Sequence, residues 1–521
     1  MRIFSGQIIC CDEQNTVSKY LVEDGGRIIY VGDKLPASCT GTAETVELGN
    51  KALLPAFGDG HIHYSNWAFF NMTFDVRSAE TLKDLAPIIK RYAKKNRGTK
   101  VLLGFGHSMH SVAEKRVITR SELDQIIKDR PVYLVCYDGH SAVANTAAIG
   151  MLPTSIRSCR GFDLESGYLT REAFFKATNH MSGRVPVTFL LKAIRRGFDT
   201  LADNGVGLIH SVEGVGFPRD LDVDLLRFLG SGAFQELRIY FQTLDVDKVI
   251  KRGLPRIGGC FSCALDGCFG VRDAALLEPY EDEPGNNGVL YYNDKEVKEF
   301  AVRANRQGLQ IQMHCIGDAA VVQAVDALEA ALEDTPRLDH RHTLIHACLI
   351  PDQYMEKIAR LKIGITLQPS FLVSPLEPSS YLRDILGDRA LKSSPLRRML
   401  DMGIRVSGGS DAPVEAPNPI EGIFGACNHT NPQQSVSVQE ALRMFTYNIA
   451  YTSFDELERG SLEKGKIADM IVLNRNPLEL EAKDLLKLKV EKLYLSGVEY
   501  RKGRKITNLI VSSIKNRKRV I

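Results

Sequence analysis

The chain has 521 residues, with 66 Lys plus Arg against 63 Asp plus Glu and a net charge of +3. That length is about three times a typical domain of roughly 150 residues, so it excludes a small binding module and leaves about half the chain over after a single barrel of about 250 residues. The near-neutral charge builds no strong field, which excludes an electrostatic nucleic-acid or membrane partner, and 44% apolar with 25% charged residues is a globular rather than a disordered composition.

The first 50 residues read as β structure: Ile3–Cys10, Tyr20–Val22 and Arg27–Val31 are short strand candidates, with Asp24-Gly25-Gly26 at a turn. The opening segment has neither a long apolar stretch nor a small-residue cleavage site, so it does not read as a signal peptide, and no apolar run is long enough to span a membrane. The C-terminal end carries matching material in Asp469–Leu473, Val490–Leu495 and Val498–Arg501, with Gly497 at a turn. Residues 1–50 and 451–521 are therefore expected to build one small β-sandwich domain, with residues 51–450 inserted between its halves. Within that span, residues 65 to about 200 break the rhythm of the rest. They hold an amphipathic stretch, Leu82–Tyr92, a strand candidate, Val132–Cys136, and a turn-rich patch, Leu152–Gly167. We read them as an insertion after the first barrel strand, lying over the active-site face.

From residue 200 to 411 strands and helices alternate. The apolar runs are Val206–His210, Leu237–Phe241, Ile257–Leu265, Leu309–His314, His342–His346, Ile363–Gln368 and Ile404–Ser407, and Ala52–Phe57 supplies a first strand. Between them, Ala319–Glu333 places Val321, Val325, Leu328 and Leu332 on one helical face, with Asp318 as an N-cap candidate. Eight strands alternating with helices predict an α/β fold, a (β/α)8 TIM barrel; an open doubly wound sheet is the alternative, but no Gly-x-Gly-x-x-Gly follows any strand. Eleven scattered cysteines, an odd number, fit reduced thiols and a cytoplasmic protein better than a disulfide framework.

The residues that carry chemistry sit at the carboxyl ends of these strands. His61 and His63 share one face of the first strand, since side chains alternate, and two imidazoles there can chelate a divalent metal. His314, His346 and Asp411 end later strands; the separations of 32 and 65 residues equal about one and two strand–helix units. Five such groups in phase at one barrel end point to a metal site, and imidazole with carboxylate suits zinc, iron or nickel.

The chain resembles the amidohydrolase superfamily in its YtcJ-like branch (amidohydrolase 3 domain), the branch of N-substituted formamide deformylase. The matching stretches are Leu54 to His63, Gly139 to Asn145, Leu265-Asp266-Gly267, His314 to Ala320, Arg341-His342 with His346-Ala347, and Gly408 to Pro413, followed by Gly460-Ser461-Leu462 and Gly465 to Asp469. The resemblance implies a metal-activated water as nucleophile. It implies His61, His63, His314 and His346 as metal ligands, Asp411 as ligand and proton shuttle, and His140 and Asp318 near the substrate. The competing roles are a turn-ordering His140 and a helix-capping Asp318. A departure stands on the fourth strand: where relatives carry a metal-bridging carboxylated lysine, this chain has Ser262, with Cys260, Cys263 and Cys268 nearby. One ion is therefore favoured over two, with zinc the first choice and manganese or iron as alternatives. Ile345 also stands where relatives often carry Glu. The expected function is a metal-dependent hydrolase that cleaves a non-peptide carbon–nitrogen bond, amide or N-acyl/formamide, of a small molecule. Alternatives are a cyclic amidase or deaminase on the same barrel, or a non-catalytic binding or regulatory member that lost the strand-four lysine. A homodimer is the family-level expectation. Trp67 is expected in the pocket or the core, and His107, His110, His180, His210, His340 and His429 in surface or core roles.

Overall fold

The computed structural model describes residues 1–39, 43–259, 264–516 and 520–521, and its strands form three sheets. Eight parallel strands build the barrel in chain order: Phe57–Ile62, Val206–Glu213, Glu236–Phe241, Arg256–Gly259, Gln310–Cys315, Thr343–His346, Gly364–Leu367 and Val406–Gly408. Side chains on these strands are buried almost throughout, as expected when helices cover a parallel sheet. The predicted α/β barrel is thus present, with one correction at its start. The apolar run Ala52–Phe57 is not the first barrel strand. Its first four residues, Ala52 to Pro55, pair antiparallel with Met470–Leu473 in another sheet. The partner changes between Ala56, whose N–H donates to Asp469 O, and Phe57, whose N–H donates to Gly205 O, both at 2.9 Å. The run reads as one strand because it passes directly from one core into the next.

The seam between the eighth strand and the first closes through loop hydrogen bonds beyond the strand ends. The Asp411 N–H donates to His61 O at 2.8 Å and the His63 N–H to Ala412 O at 3.0 Å. Glycine permits this approach: a Cβ at Gly60 would lie 2.7 Å from Gly408 O, and one at Gly409 only 2.6 Å from His61 N.

Seven strands from both ends of the chain form a second sheet, in the order Val498–Glu499, Val490–Leu495, Met470–Leu473, Glu44–Pro55, Arg2–Ile9, Val17–Asp24, Arg27–Gly32. The sheet folds over, so that Ile28 N–H donates to Lys466 O and Ala468 N–H to Gly26 O, both at 2.9 Å. Phe4, Ile8, Leu21, Leu53, Met470 and Tyr494 meet in the core between its halves. Beyond Glu499 the chain leaves this sheet. Helix Ile506–Lys515 packs on the barrel helix Leu221–Ser231, and Ile521 O accepts the Ile239 N–H of the third barrel strand at 3.3 Å.

The segment after the first barrel strand contains a five-stranded sheet, ordered Tyr168–Thr170, Ser141–Ala144, Val132–Cys136, Leu102–His107, Phe74–Asp75. It has a core of its own in Phe74, Leu85, Ile89, Leu102, Leu134 and Val143. The amphipathic stretch becomes helix Leu85–Lys95, which buries Leu85, Ile89 and Ala93 at spacings of four. Asp318 proves not to be an N-cap. Gly317 takes that position, and Asp318 is the first residue of helix Asp318–Asp334, where its Oδ1 accepts the Leu277 N–H at 2.8 Å. Its carboxylate anchors a neighbouring loop.

Candidate metal centre

His61 and His63 leave the first barrel strand and Asp411 follows the eighth, so the seam brings all three together. Asp411 Oδ1 lies 3.2 Å from His61 Nε2 and 3.1 Å from His63 Nε2. All three are buried, and one donor atom from each lies within 4.8 Å of the others. Ligand bonds of about 2.0–2.2 Å in a tetrahedral shell place neighbouring donors roughly 3.3 Å apart, so the observed spacing fits one cation. The charge states fit as well. Burial lowers the His63 pKa, which leaves a neutral imidazole. Burial opposes ionisation of Asp411 most strongly, yet the adjacent His61 and His63 imidazoles hold it well below the usual carboxylate range. A neutral His63 imidazole and an anionic Asp411 carboxylate are protonation states that a divalent cation requires.

His346 stands next to this group, its Nε2 4.0 Å from Asp411 Oδ2 and its ring 5.8 Å from that of His61. Gln368 Nε2 donates to Thr366 O at 3.3 Å, which turns Gln368 Oε1 toward His346 Nδ1 at 2.5 Å. Nδ1 then carries the proton and Nε2 keeps its lone pair facing the site. His314 is one ring further out, 4.7 Å from His346 between centroids. Its Nε2 lies 3.2 Å from Gly267 O and 3.5 Å from Asp266 Oδ1, which leaves the lone pair on Nδ1. Burial pushes His346 down to about 4 and His314 well below the usual value. Two of these positions, His346 (φ 68°) and Asp411 (φ 56°), adopt left-handed backbone conformations. Such residues cost about 1–3 kcal/mol each and persist where surrounding bonds over-determine them, as the Asp411 N–H to His61 O bond does here.

Three positioning residues lay unrecognised in the sequence. Asp59 is buried; its Oδ1 accepts from Ser410 N at 3.0 Å and His61 N at 3.2 Å, and its Oδ2 from Ser410 Oγ at 2.6 Å. Burial pushes its pKa up to about 6. This carboxyl ties the first strand to the eighth directly below the metal residues. Its signal was available, since 59, 61 and 63 share strand parity. Asp59→Ala is expected to cost about 3 kcal/mol, because it strands buried donors, while Asp59→Asn recovers most of that; denaturant midpoints measure the difference. Asp266 plays the same part below His314, accepting from Ile316 N at 3.0 Å, Gly317 N at 2.8 Å and Ala275 N at 2.9 Å. Gln368 is the third. Gln368→Leu should weaken metal affinity by about 10–100-fold with the fold intact, read by chelator competition.

His140 enters from the inserted segment, between Val132–Cys136 and Ser141–Ala144, and its ring lies 6.0 Å from His314. It is therefore at the site, whereas the other substrate candidate, Asp318, is engaged with Leu277. Trp67 belongs to the core: it packs on Tyr64 at 5.7 Å and covers Gly197. Cys260, Ser262 and Cys263 lie outside the described residues. Cys268 is buried among Phe269, Ala274 and Tyr280, and burial raises its thiol pKa well above the usual value.

Two cavities lie near the candidate metal residues. One is bordered by His63, Pro413 and Val414 and runs into the inserted segment. The other lies beside Gln368, the partner of His346, and is lined by Leu367, Phe371, Glu377 and Arg383 among others.

The sequence pattern of the Amidohydrolase family matches residues 44–500. The chain is 25% identical to YtcJ of Bacillus subtilis, over 87% of this chain and 90% of that protein. It is also 25% identical to the N-substituted formamide deformylase of Arthrobacter pascens, over 96% and 97%. A metal-dependent hydrolase from Pyrococcus furiosus shares the fold with a TM-score of 0.72 and 27% identity, covering 92% of this chain and all (100%) of that one. With the barrel, the strand-end histidines and the seam carboxylate on the same chain, the protein belongs to the Amidohydrolase family of metal-dependent hydrolases.

Proposed function

We propose that the protein hydrolyses a carbon–nitrogen bond other than a peptide bond in a small molecule, an amide of the N-acyl or formamide type. The carrying observation is the buried Asp411 carboxylate set 3.1–3.2 Å from two imidazole nitrogens at the open end of the barrel. In this reading His61, His63 and Asp411 hold one divalent cation, zinc as first choice with manganese or iron as alternatives, and His346 and His314 complete its surroundings. A cation bound there lowers the pKa of a water toward about 7 and polarises a carbonyl. The protein's own part is proton transfer and positioning. Asp411 Oδ1 faces both imidazoles, so Oδ2 takes the proton of the attacking water and passes it to the leaving nitrogen. His140, kept neutral by burial and 6.0 Å from the His314 ring, would donate a hydrogen bond to the substrate carbonyl in this reading. Asp318 we assign to holding the loop at Leu277. The relative from Arthrobacter supports the choice of bond, since its name states deformylation of N-substituted formamides.

Localisation follows the same reading. The described cysteines form no disulfide, and no described helix is long and apolar enough to cross a membrane, which supports a reducing compartment, the cytoplasm.

The test is amine release from a panel of N-formyl, N-acetyl and cyclic amides by protein loaded with zinc, manganese or iron. Release that a chelator abolishes and metal restores is expected. A chain that takes up no metal would instead be a binding member of the family, and a fully loaded chain that cleaves nothing in the panel would overturn the bond assignment.

A further inference from the structure

The cavity beside His63 has a composition that the proton chemistry does not require. Its walls are Phe70, Phe105, Phe174 and Phe175, with Val135, Val215 and Val414. The rings pair off: Phe70 with Phe105 at 5.3 Å and Phe174 with Phe175 at 5.1 Å. Phe175 also meets His140 edge-on at 6.1 Å, so the chamber is continuous from the metal residues outward. Two polar groups on its wall are engaged elsewhere: Asn66 Nδ2 donates to Val215 O at 3.2 Å, and Thr178 Oγ1 bonds the Tyr133 hydroxyl at 2.9 Å. A charged or strongly hydrated group entering here would lose water and gain few partners, whereas an aromatic ring would meet ring edges and faces at favourable spacing. The cavity beside Gln368 is different, since its lining includes Glu377, Arg383, Ser379, Ser393 and Thr430. The two cavities therefore differ in the chemistry they offer to a substrate.

We propose that the substrate is an amide bearing an uncharged aromatic ring, and that this ring occupies the phenylalanine-lined chamber while the polar end of the molecule faces the cavity of Glu377 and Arg383. The inserted segment supplies Phe70, Phe105, Phe174 and Phe175, so it sets specificity as well as covering the metal residues. This inference rests on the amide-hydrolase reading and narrows it to a substrate class.

The experiment compares acetanilide with N-methylacetamide as substrates of the metal-loaded full chain, and repeats the comparison with Val414→Trp, which fills the chamber, and Phe175→Ala, which removes one wall. A single methylene in an apolar pocket is worth about 10–200-fold, so a whole ring should favour acetanilide by about 100-fold or more in kcat/KM. Val414→Trp should reduce that ratio to about tenfold or less. Metal content and thermal unfolding of each variant report whether its fold survives. Equal cleavage of both amides, with a ratio that neither variant changes, would overturn the ring assignment and leave the amide reading standing. If neither amide is cleaved, the panel of N-formyl, N-acetyl and cyclic amides decides the amide reading, and calorimetric titration of acetanilide decides the chamber. Saturable binding weakened by both variants supports it; no binding at millimolar concentration overturns it.

Discussion

Asp411→Asn should lower kcat by about 10³-fold or more while leaving the protein folded, since removing a general acid–base group costs about 10²–10⁴-fold and here the metal charge balance changes too. The variant isolates chemistry from structure for two reasons. Asn has the shape of Asp and still offers one oxygen toward His61 and His63, but its amide cannot take a proton from water. Position 411 is also left-handed, with φ 56°, and Asn is among the few non-glycine residues that adopt this conformation readily. The backbone bond from Asp411 N to His61 O, which closes the barrel seam, does not involve the side chain. Steady-state turnover on the best amide of the panel, metal analysis and far-UV circular dichroism together provide the check. Activity within tenfold of wild type in a metal-loaded preparation would remove Asp411 from the proton-transfer role.

His61→Ala should leave the chain unable to retain its ion. His61, His63 and Asp411 each give one of three converging donor atoms, and the loss of one leaves a pair too few for a closed site. Because binding to the folded state alone stabilises it, about 2.7 kcal/mol at a hundredfold excess over Kd, zinc should raise the unfolding temperature of the wild type. In His61→Ala the increase should vanish, and dialysed protein should hold close to no metal. One ion per chain together with an unchanged zinc response would show that the cation sits elsewhere. His314 provides the contrast. Its Nε2 faces Gly267 O at 3.2 Å and it stands outside the tight group, so His314→Ala should weaken the zinc response without erasing it.

Much of the centre was legible because barrel strands impose a simple rule: side chains alternate, and loops at one end face one site. His61 and His63 followed from that parity, and His346 and Asp411 from the strand–helix spacing. What periodicity missed has a physical cause in each case. Asp59 resembles a turn residue between two glycines, and its role appears only when Ser410, 351 residues away, returns beside it across the seam. Gln368 acts through its contact with His346, a neighbour on the adjacent strand, and no local pattern marks that pairing. The first strand was misplaced by several residues because apolarity does not change where Pro55 passes from one sheet to the other. The five-stranded sheet of the inserted segment escaped notice because its strands run from two to six residues, shorter than a periodic signal needs.

The sequence by itself determined the barrel and the family, and it proposed the insertion and the candidate metal ligands, because burial periodicity and strand-end chemistry are local properties of a chain. The tertiary structure alone decided which side-chain atoms converge, which carboxylates tie the seam, that Asp318 bonds Leu277, and that phenylalanines from distant parts of the insertion line one chamber beside His63. Those properties depend on distances between residues that are far apart in the chain, and such distances are set only when the barrel closes and the insertion folds over it.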